Sequence, residues 1–66
     1  METNKLLSVN EVSKKLGVSI HTIYRLIRQD ANFPVMRILG QFRFRETAVD
    51  KWMKDKEREA EAVYKI

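Results

Sequence analysis

One short segment, residues 20–29, carries side chains that could bind a polyanion. Side chains with polar or cationic ends recur there at relative positions 0, 3, 4 and 7: His21, Tyr24, Arg25 and Arg28. Residues at these spacings lie on one face of a helix, and this face contains no acid. Arginine can donate two hydrogen bonds to guanine in the major groove of DNA, and an apolar side chain such as Ile20 can contact a thymine methyl. The segment therefore predicts a DNA-reading helix, with Arg25 as the residue most suited to read a base.

Catalytic and metal chemistry find little support in the sequence. The 66 residues include no cysteine and one histidine, which excludes disulfides and thiolate metal sites and leaves His21 without a partner at ligand spacing. Tyr24 alone lacks the cationic and acid-base groups that a DNA-cleaving nucleophile requires. The acids of the C-terminal third lie on a charged helix with no apolar pocket: Asp50, Asp55, Glu57, Glu59 and Glu61. We therefore expect neither enzyme activity nor a cofactor.

A second helix, over about residues 9–16, is predicted to position the first. Apolar side chains recur at helical spacing in both segments: Val9, Val12 and Leu16, then Ile23, Leu26 and Ile27. Ser8 and Ser19 can each cap the helix that follows, and Glu11 would complete a capping box with Ser8. Gly17 suits the left-handed residue that ends a helix, and Val18 would fill the corner between the two helices. Two such helices, the second of them basic, are typical of a DNA-binding helix-turn-helix.

Residues 35–45 predict a β-hairpin around Gly40, since apolar and polar residues alternate there with period two. A three-residue loop over 39–41 would place the apolar side chains of the hairpin on one face and its arginines on the other. It pairs Ile38 with Phe42 and Met36 with Phe44, and it clusters Arg37, Arg43 and Arg45 on the other face. A two-residue turn at Gly40 and Gln41 would mix the faces, so burial favours the longer loop. Such a hairpin is either a wing that contacts DNA phosphates or the minor groove, or a stabilising hairpin whose arginines are only solvated.

From Glu46 onward the pattern predicts a helix that closes the core, with Trp52 over Leu16, Ile23 and Phe44. The predicted core comprises Val12, Leu16, Val18, Ile23, Leu26, Ile27, Phe44, Val49, Trp52 and Met53. The fold class is therefore mainly α with a small β-hairpin, a winged helix-turn-helix of order α-α-β-β-α. Residues 1–54 would form this domain, and 55–66 a charged helical extension with a weak stripe of Ala60, Val63 and Tyr64. That extension is either a solvated helix end or a handle for docking or dimerisation.

Positive charge is concentrated in the first two thirds of the chain. Residues 1–45 hold eight Lys and Arg against three acids, giving +5, whereas residues 46–66 hold five against six, giving −1. Such a field attracts a polyanion and predicts salt-dependent binding. No apolar run approaches the roughly 20 residues needed to span a bilayer, and Met1 leads into polar residues. The sequence thus predicts a cytoplasmic protein with no membrane contact.

The ordered motifs resemble the excisionase-type, MerR-like winged helix-turn-helix family over about residues 6–54. The resemblance rests on Leu7-Ser-Val-Asn-Glu-Val, Leu16-Gly-Val-Ser, Thr22-Ile-Tyr-Arg-Leu-Ile, Pro34, Arg37-Ile, Gly40, Arg43-Phe and Val49-Asp-Lys-Trp-Met. It implies recognition-helix contacts at Ile20, His21, Thr22, Tyr24, Arg25 and Arg28, and wing contacts at Gln41 and Arg43. Ser19 and Thr22 would cap the helix and touch phosphate.

The resemblance implies the role of a recombination directionality factor. Such a protein binds repeated sites on double-stranded DNA, often cooperatively, and bends the DNA so that a site-specific integrase assembles in its excisive geometry. The same module also occurs in small regulators of mobile elements and in the DNA-binding subunits of phage packaging terminases. A protein-interaction module such as an antirepressor is a more distant alternative. The C-terminal helix is the expected place for any self-association.

Overall fold

The computed structural model describes residues 5–63 and contains three helices and three short strands. In chain order they are β1 (Leu6–Leu7), α1 (Val9–Leu16), α2 (Ile20–Gln29), β2 (Met36–Ile38), β3 (Gln41–Arg45) and α3 (Glu46–Val63). The fold class predicted from the sequence, mainly helical with a small hairpin, is confirmed. The strand β1 was not predicted, because two residues are too few to display a period-two pattern.

Side-chain caps define the starts of α1 and α2. The Ser8 hydroxyl accepts a hydrogen bond from the Glu11 amide at 3.2 Å, and the Glu11 carboxylate accepts one from the Ser8 amide at 2.9 Å. This confirms the predicted capping box. Gly17 ends α1 in the left-handed region with φ of 71°, and Ser19 begins α2 by accepting a hydrogen bond from the Thr22 amide. Local hydrogen bonds therefore set where the two helices begin and where α1 ends.

The three strands form one antiparallel sheet in the order β1-β3-β2. Leu7 lies opposite Phe44, and Leu6 lies opposite Arg45. Because directly opposed residues point to the same face, Leu7 and Phe44 together form the buried side of the sheet. The β1 strand thus attaches the start of the chain to the centre of the sheet.

The predicted register of the hairpin is wrong. Ile38 lies opposite Gln41 and Arg37 opposite Phe42, so the loop is the two-residue pair Leu39 and Gly40. Both residues have positive φ, 50° and 81°, as the turn that best matches strand twist requires. Leu39 adopts this conformation at a cost of about 1–2 kcal/mol. Burial does not set the register because this end of the hairpin extends beyond the core, where Ile38 is 41% exposed.

The core lies between α1, α2, α3 and the inner face of the sheet. Its fully or nearly buried side chains are Leu7, Val12, Ile23, Phe33, Phe44 and Val49, and partly buried Leu16, Leu26, Ile27, Trp52 and Met53 pack against them. Val18, predicted to fill the corner between the helices, lies in the turn between α1 and α2 and is 38% exposed. The burial of Phe33 was not predicted. A lone aromatic residue in a loop carries no periodic signal.

Trp52 lies at the edge of this core, and its main aromatic neighbour differs from the one predicted. Its ring meets that of Phe33 edge-on with centroids 4.9 Å apart, and the Phe33 ring is 5.4 Å from that of Phe44. Phe33 therefore joins Trp52 to Phe44. The loop after α2 brings Phe33 into this position, so the packing of α3 depends on that loop.

Helix α3 is continuous from Glu46 to Val63 and is attached to α1 by ion pairs. The Lys15 ammonium lies 3.1 Å from an Asp50 carboxylate oxygen and 3.5 Å from one of Glu46. The hydrogen bond to Asp50 raises the pKa of Lys15. Of the predicted apolar stripe, Ala60 is exposed, whereas the side chain of Val63 and all of Tyr64 lie outside the described residues. Within residues 5–63, no helix combines the length and apolarity that crossing a bilayer requires.

Candidate nucleic-acid interface

Helix α2 has one buried face and one exposed face, and the exposed face carries its cations. Ile23 is fully buried, and Leu26 and Ile27 are partly buried against the core. The predicted DNA-contacting side chains on the opposite side are all exposed: His21, Tyr24, Arg25 and Arg28. No acid occurs within α2. Among residues 5–63, no ion pair involves a cation of this face, so these residues leave it open to a polyanion.

The N-terminus of α2 has no neighbouring carboxylate in its first turn. Helices α1 and α3 each place an acid there, Glu11 and Glu46, whereas α2 has none. Its cap is neutral: the Ser19 and Thr22 hydroxyls lie 3.1 Å apart, and Ser19 accepts from the Thr22 amide at 3.1 Å. The partial positive charge of a helix N-terminus favours anions. The start of α2 is thus electrostatically suited to a phosphate.

An aromatic contact joins α2 to the hairpin. The rings of Tyr24 and Phe42 meet edge-on with centroids 6.1 Å apart. A groove runs beside this contact. It is lined by the start of α1, the exposed side of α2 and the hairpin: Ser8, Val9, Asn10, Ile20, Tyr24, Gly40, Gln41, Phe42 and Arg43. The recognition helix and the hairpin therefore present a single surface, and Phe42 is a residue of this surface that was not predicted from the sequence.

The arginines of the hairpin do not form one cluster. Arg43 and Arg45 share the outer face of β3, but Arg37 lies opposite Phe42 on the inner face, with its guanidinium 5.4 Å from the Phe42 ring centroid. The prediction that all three share a face is therefore wrong, for the same reason as the predicted register. Arg37 is exposed and lies on the side of the sheet that meets Tyr24. This places one cation of the hairpin nearer to α2 than the sequence pattern indicated.

The Arg43 guanidinium is held by two hydrogen bonds. It donates to the Phe42 carbonyl oxygen and to Gln41 Oε1, each at 2.7 Å. These bonds restrain a long side chain that would otherwise sample many rotamers, so less conformational entropy would be lost if it bound an anion. Gln41 thus orients Arg43.

The hydrogen bond between Arg43 and Gln41 predicts different effects for substitution of the two residues. Arg43→Ala should weaken binding to every duplex and reduce the slope of log K against log salt by about 1, as the loss of one phosphate contact requires. Gln41→Ala should weaken binding by a smaller factor and leave the slope unchanged, because the charge remains. Fluorescence anisotropy titrations at several salt concentrations measure both quantities. Unchanged affinity in Arg43→Ala would contradict phosphate binding by the wing.

A polar contact attaches α3 to the end of α2. Trp52 Nε1 donates to Asp30 Oδ2 at 3.2 Å, and the Lys56 ammonium lies 3.6 Å from the same oxygen. The other oxygen, Oδ1, accepts from the Asn32 amide at 2.9 Å, and this bond is the main cause of a lowered Asp30 pKa, assisted by Trp52 and Lys56. Asp30 was not predicted, because its partner Trp52 is 22 residues away. Asp30 thus fixes the loop that carries Phe33, because it bonds both Asn32 in that loop and Trp52 on α3.

Acidification should weaken this contact. A carboxyl whose pKa is lowered by folding stabilises the fold above its ordinary value, and the contribution is lost as pH falls through the folded pKa. We therefore expect the difference in unfolding free energy between the wild type and Asp30→Asn to be constant near neutrality. It should shrink below about pH 4. The single Trp52 makes fluorescence-detected urea unfolding a direct measurement. A difference that does not change with pH would show that Asp30 contributes no charge-dependent stability.

Comparison with known protein families gives a match. A family model described as a helix-turn-helix domain matches residues 6–57. No significant match was found among curated proteins or among solved structures. The matched region includes α1, α2, the sheet and two thirds of α3.

Proposed function

The chain belongs to the helix-turn-helix domain family, whose members bind specific DNA sequences, and we propose that it is a recombination directionality factor. In this role it binds and bends attachment-site DNA to direct a site-specific integrase. The observation that carries the DNA-binding part of the proposal is the single surface made by the cationic face of α2 and the hairpin, joined through Tyr24 and Phe42. Helix α2 matches the major groove of a DNA duplex, and the hairpin matches the phosphates along the neighbouring minor groove. The resemblance of residues 6–54 to the excisionase-type family favours the directionality role.

We assign the recognition-helix contacts by position on that surface. With α2 in the major groove, about 12 Å wide, Arg25 reads a base, and His21, Tyr24 and Arg28 contact base edges or phosphates beside it. Ile20, which is exposed, contacts a thymine methyl. Ser19 and Thr22, at the uncompensated helix start, contact a phosphate. The hairpin is the wing, and Arg43 and Arg37 neutralise phosphates along the neighbouring minor groove.

The small size of the domain favours an architectural role, in which several copies act together, over one in which a single copy acts alone. A single module buries about 600–1,000 Å² on DNA, which gives limited specificity, so useful affinity requires several adjacent copies or a partner such as the integrase. The C-terminal part of α3, residues 56–61, is exposed and of mixed charge, and so offers a surface for such contacts. We propose it as the element through which neighbouring copies cooperate.

A bending and cooperativity measurement tests this role. The protein is first used to enrich duplexes from a randomised pool, and the enriched site is then placed once or twice in an end-labelled duplex. A directionality factor should bend the duplex, which shortens the distance between its labelled ends as measured by energy transfer. It should also fill two adjacent sites at a lower protein concentration than a single site. A straight duplex with independently filled sites would contradict the architectural role and would instead fit a simple transcription regulator.

A further inference from the structure

The tip of the wing carries the most exposed large apolar side chain of the described residues. Leu39 is 97% exposed and has a φ of 50°. A left-handed residue at the first position of a two-residue hairpin turn is normally Asn, Asp or Gly. Leucine there is unfavourable for the backbone and leaves its side chain in water. Neither the fold nor solubility accounts for it, and such local conflicts concentrate at functional sites.

The surroundings of Leu39 indicate what it contacts. The adjacent residues Gly40, Gln41 and Arg43 line the groove shared with Ile20 of the recognition helix. The hairpin, residues 36–45, contains three arginines and no acid. An apolar tip among cations fits a polyanion with an apolar interior better than it fits the apolar surface of a protein. Stacked base pairs between two phosphate strands are such a target.

The shape of the tip also fits the minor groove. The turn has only two residues, and Gly40 adds no side chain. The two-stranded ribbon itself is too wide for the roughly 6 Å minor groove, because its strand axes are about 4.8 Å apart before the thickness of each backbone is added. The part of the tip that can enter the groove is therefore the projecting side chain of Leu39, which is 97% exposed. Apolar side chains such as leucine enter the minor groove as wedges, partly unstack a base step and kink the duplex.

We infer that Leu39 is an apolar wedge that enters the minor groove beside the segment read by α2 and kinks the DNA there. The inference rests on the proposed DNA binding and adds to it the residue that produces the bend. Arg37 and Arg43 hold the flanking phosphates while the Leu39 side chain separates one base step. Pyrimidine-purine steps, which unstack most easily, are the preferred positions.

The test exchanges Leu39 for a residue that suits the turn but cannot act as a wedge. Leu39→Asn relieves the strained backbone, so its melting temperature should rise by about 4 °C. Leu39→Met keeps an apolar side chain of similar volume and is the matched control. The probe is the duplex enriched by the wild-type protein from a randomised pool, with 2-aminopurine replacing in turn each adenine of either strand. Its fluorescence increases where the base is unstacked.

Wild-type protein and Leu39→Met should increase the fluorescence at one step and bend the duplex. Leu39→Asn should do neither, and should bind about tenfold more weakly while being more stable. No increase at any position with bound wild-type protein, or the same increase with Leu39→Asn, would overturn the wedge and leave DNA binding intact. If Leu39→Asn altered only self-association in sedimentation, the tip would be a protein contact, which also overturns the wedge. If the wild type enriched no duplex, the proposed function itself would fail.

Discussion

Phe44→Ala should remove about a third or more of the free energy of unfolding of the protein. Phe44 is fully buried and lies at the centre of β3, opposite Leu7 and in contact with Phe33. Truncation of a buried phenylalanine to alanine typically costs about 3–5 kcal/mol. A domain of this size has a total stability of about 3–10 kcal/mol. The melting temperature, followed by circular dichroism, should therefore fall by about 12–40 °C, if a folded state persists.

Val18→Ala is the matched control for this substitution. Val18 is an apolar residue that the sequence places in the core, but it lies in the turn between α1 and α2 and is 38% exposed. Its truncation should change the free energy of unfolding by about 0.5 kcal/mol or less, as for other surface substitutions. Comparable losses in Phe44→Ala and Val18→Ala would contradict the assignment of Phe44 to the core and of Val18 to the surface.

Arg25→Ala should produce the largest loss of sequence discrimination. Arg25 is exposed on the α2 face and makes no ion pair within the described residues, so its guanidinium is free to bind bidentately to a guanine. Loss of such a contact costs about 1–3 kcal/mol and relaxes specificity at one base-pair position. Binding titrations on the enriched duplex, and on duplexes with each base pair exchanged in turn, measure both effects.

Arg58→Ala provides the control for charge. Arg58 is an exposed arginine of α3 and belongs to neither α2 nor the hairpin. Its removal changes the net charge by the same amount as Arg25→Ala, but it should leave the ranking of base pairs unchanged and the affinity nearly so. If Arg25→Ala and Arg58→Ala weakened binding equally, without any change in the preferred sequence, Arg25 would not read a base.

The helices could be predicted because their signals are local. Ser8 with Glu11, Gly17 and Ser19 form caps within a few residues of each other, and the structure contains those caps. The apolar stripe of α2 likewise places Ile23 inside and Arg25 outside. Each of these features depends only on residues one or two turns apart.

The remaining features depend on contacts between distant residues. The pairing of β1 with β3 and the bond from Trp52 to Asp30 join segments that no periodic pattern connects. Phe33 is buried because α3 covers the loop that carries it. The hairpin register was mispredicted because burial was assumed to control it, whereas the turn at Leu39 and Gly40 lies beyond the core and turn geometry decides. Because of the same error, Arg37 was predicted on the outer face, whereas it lies on the inner face opposite Phe42.

Comparison of specific with non-specific binding tests the central claim most directly. The protein should be titrated against the enriched duplex and against a scrambled duplex of the same length and composition, over a range of salt concentrations. We predict that both affinities fall linearly on logarithmic axes as salt rises, and that the enriched duplex binds on the order of 10³-fold more tightly. Equal affinity for the two duplexes at every salt concentration would contradict the assignment of the α2 face and the wing as a sequence-reading surface.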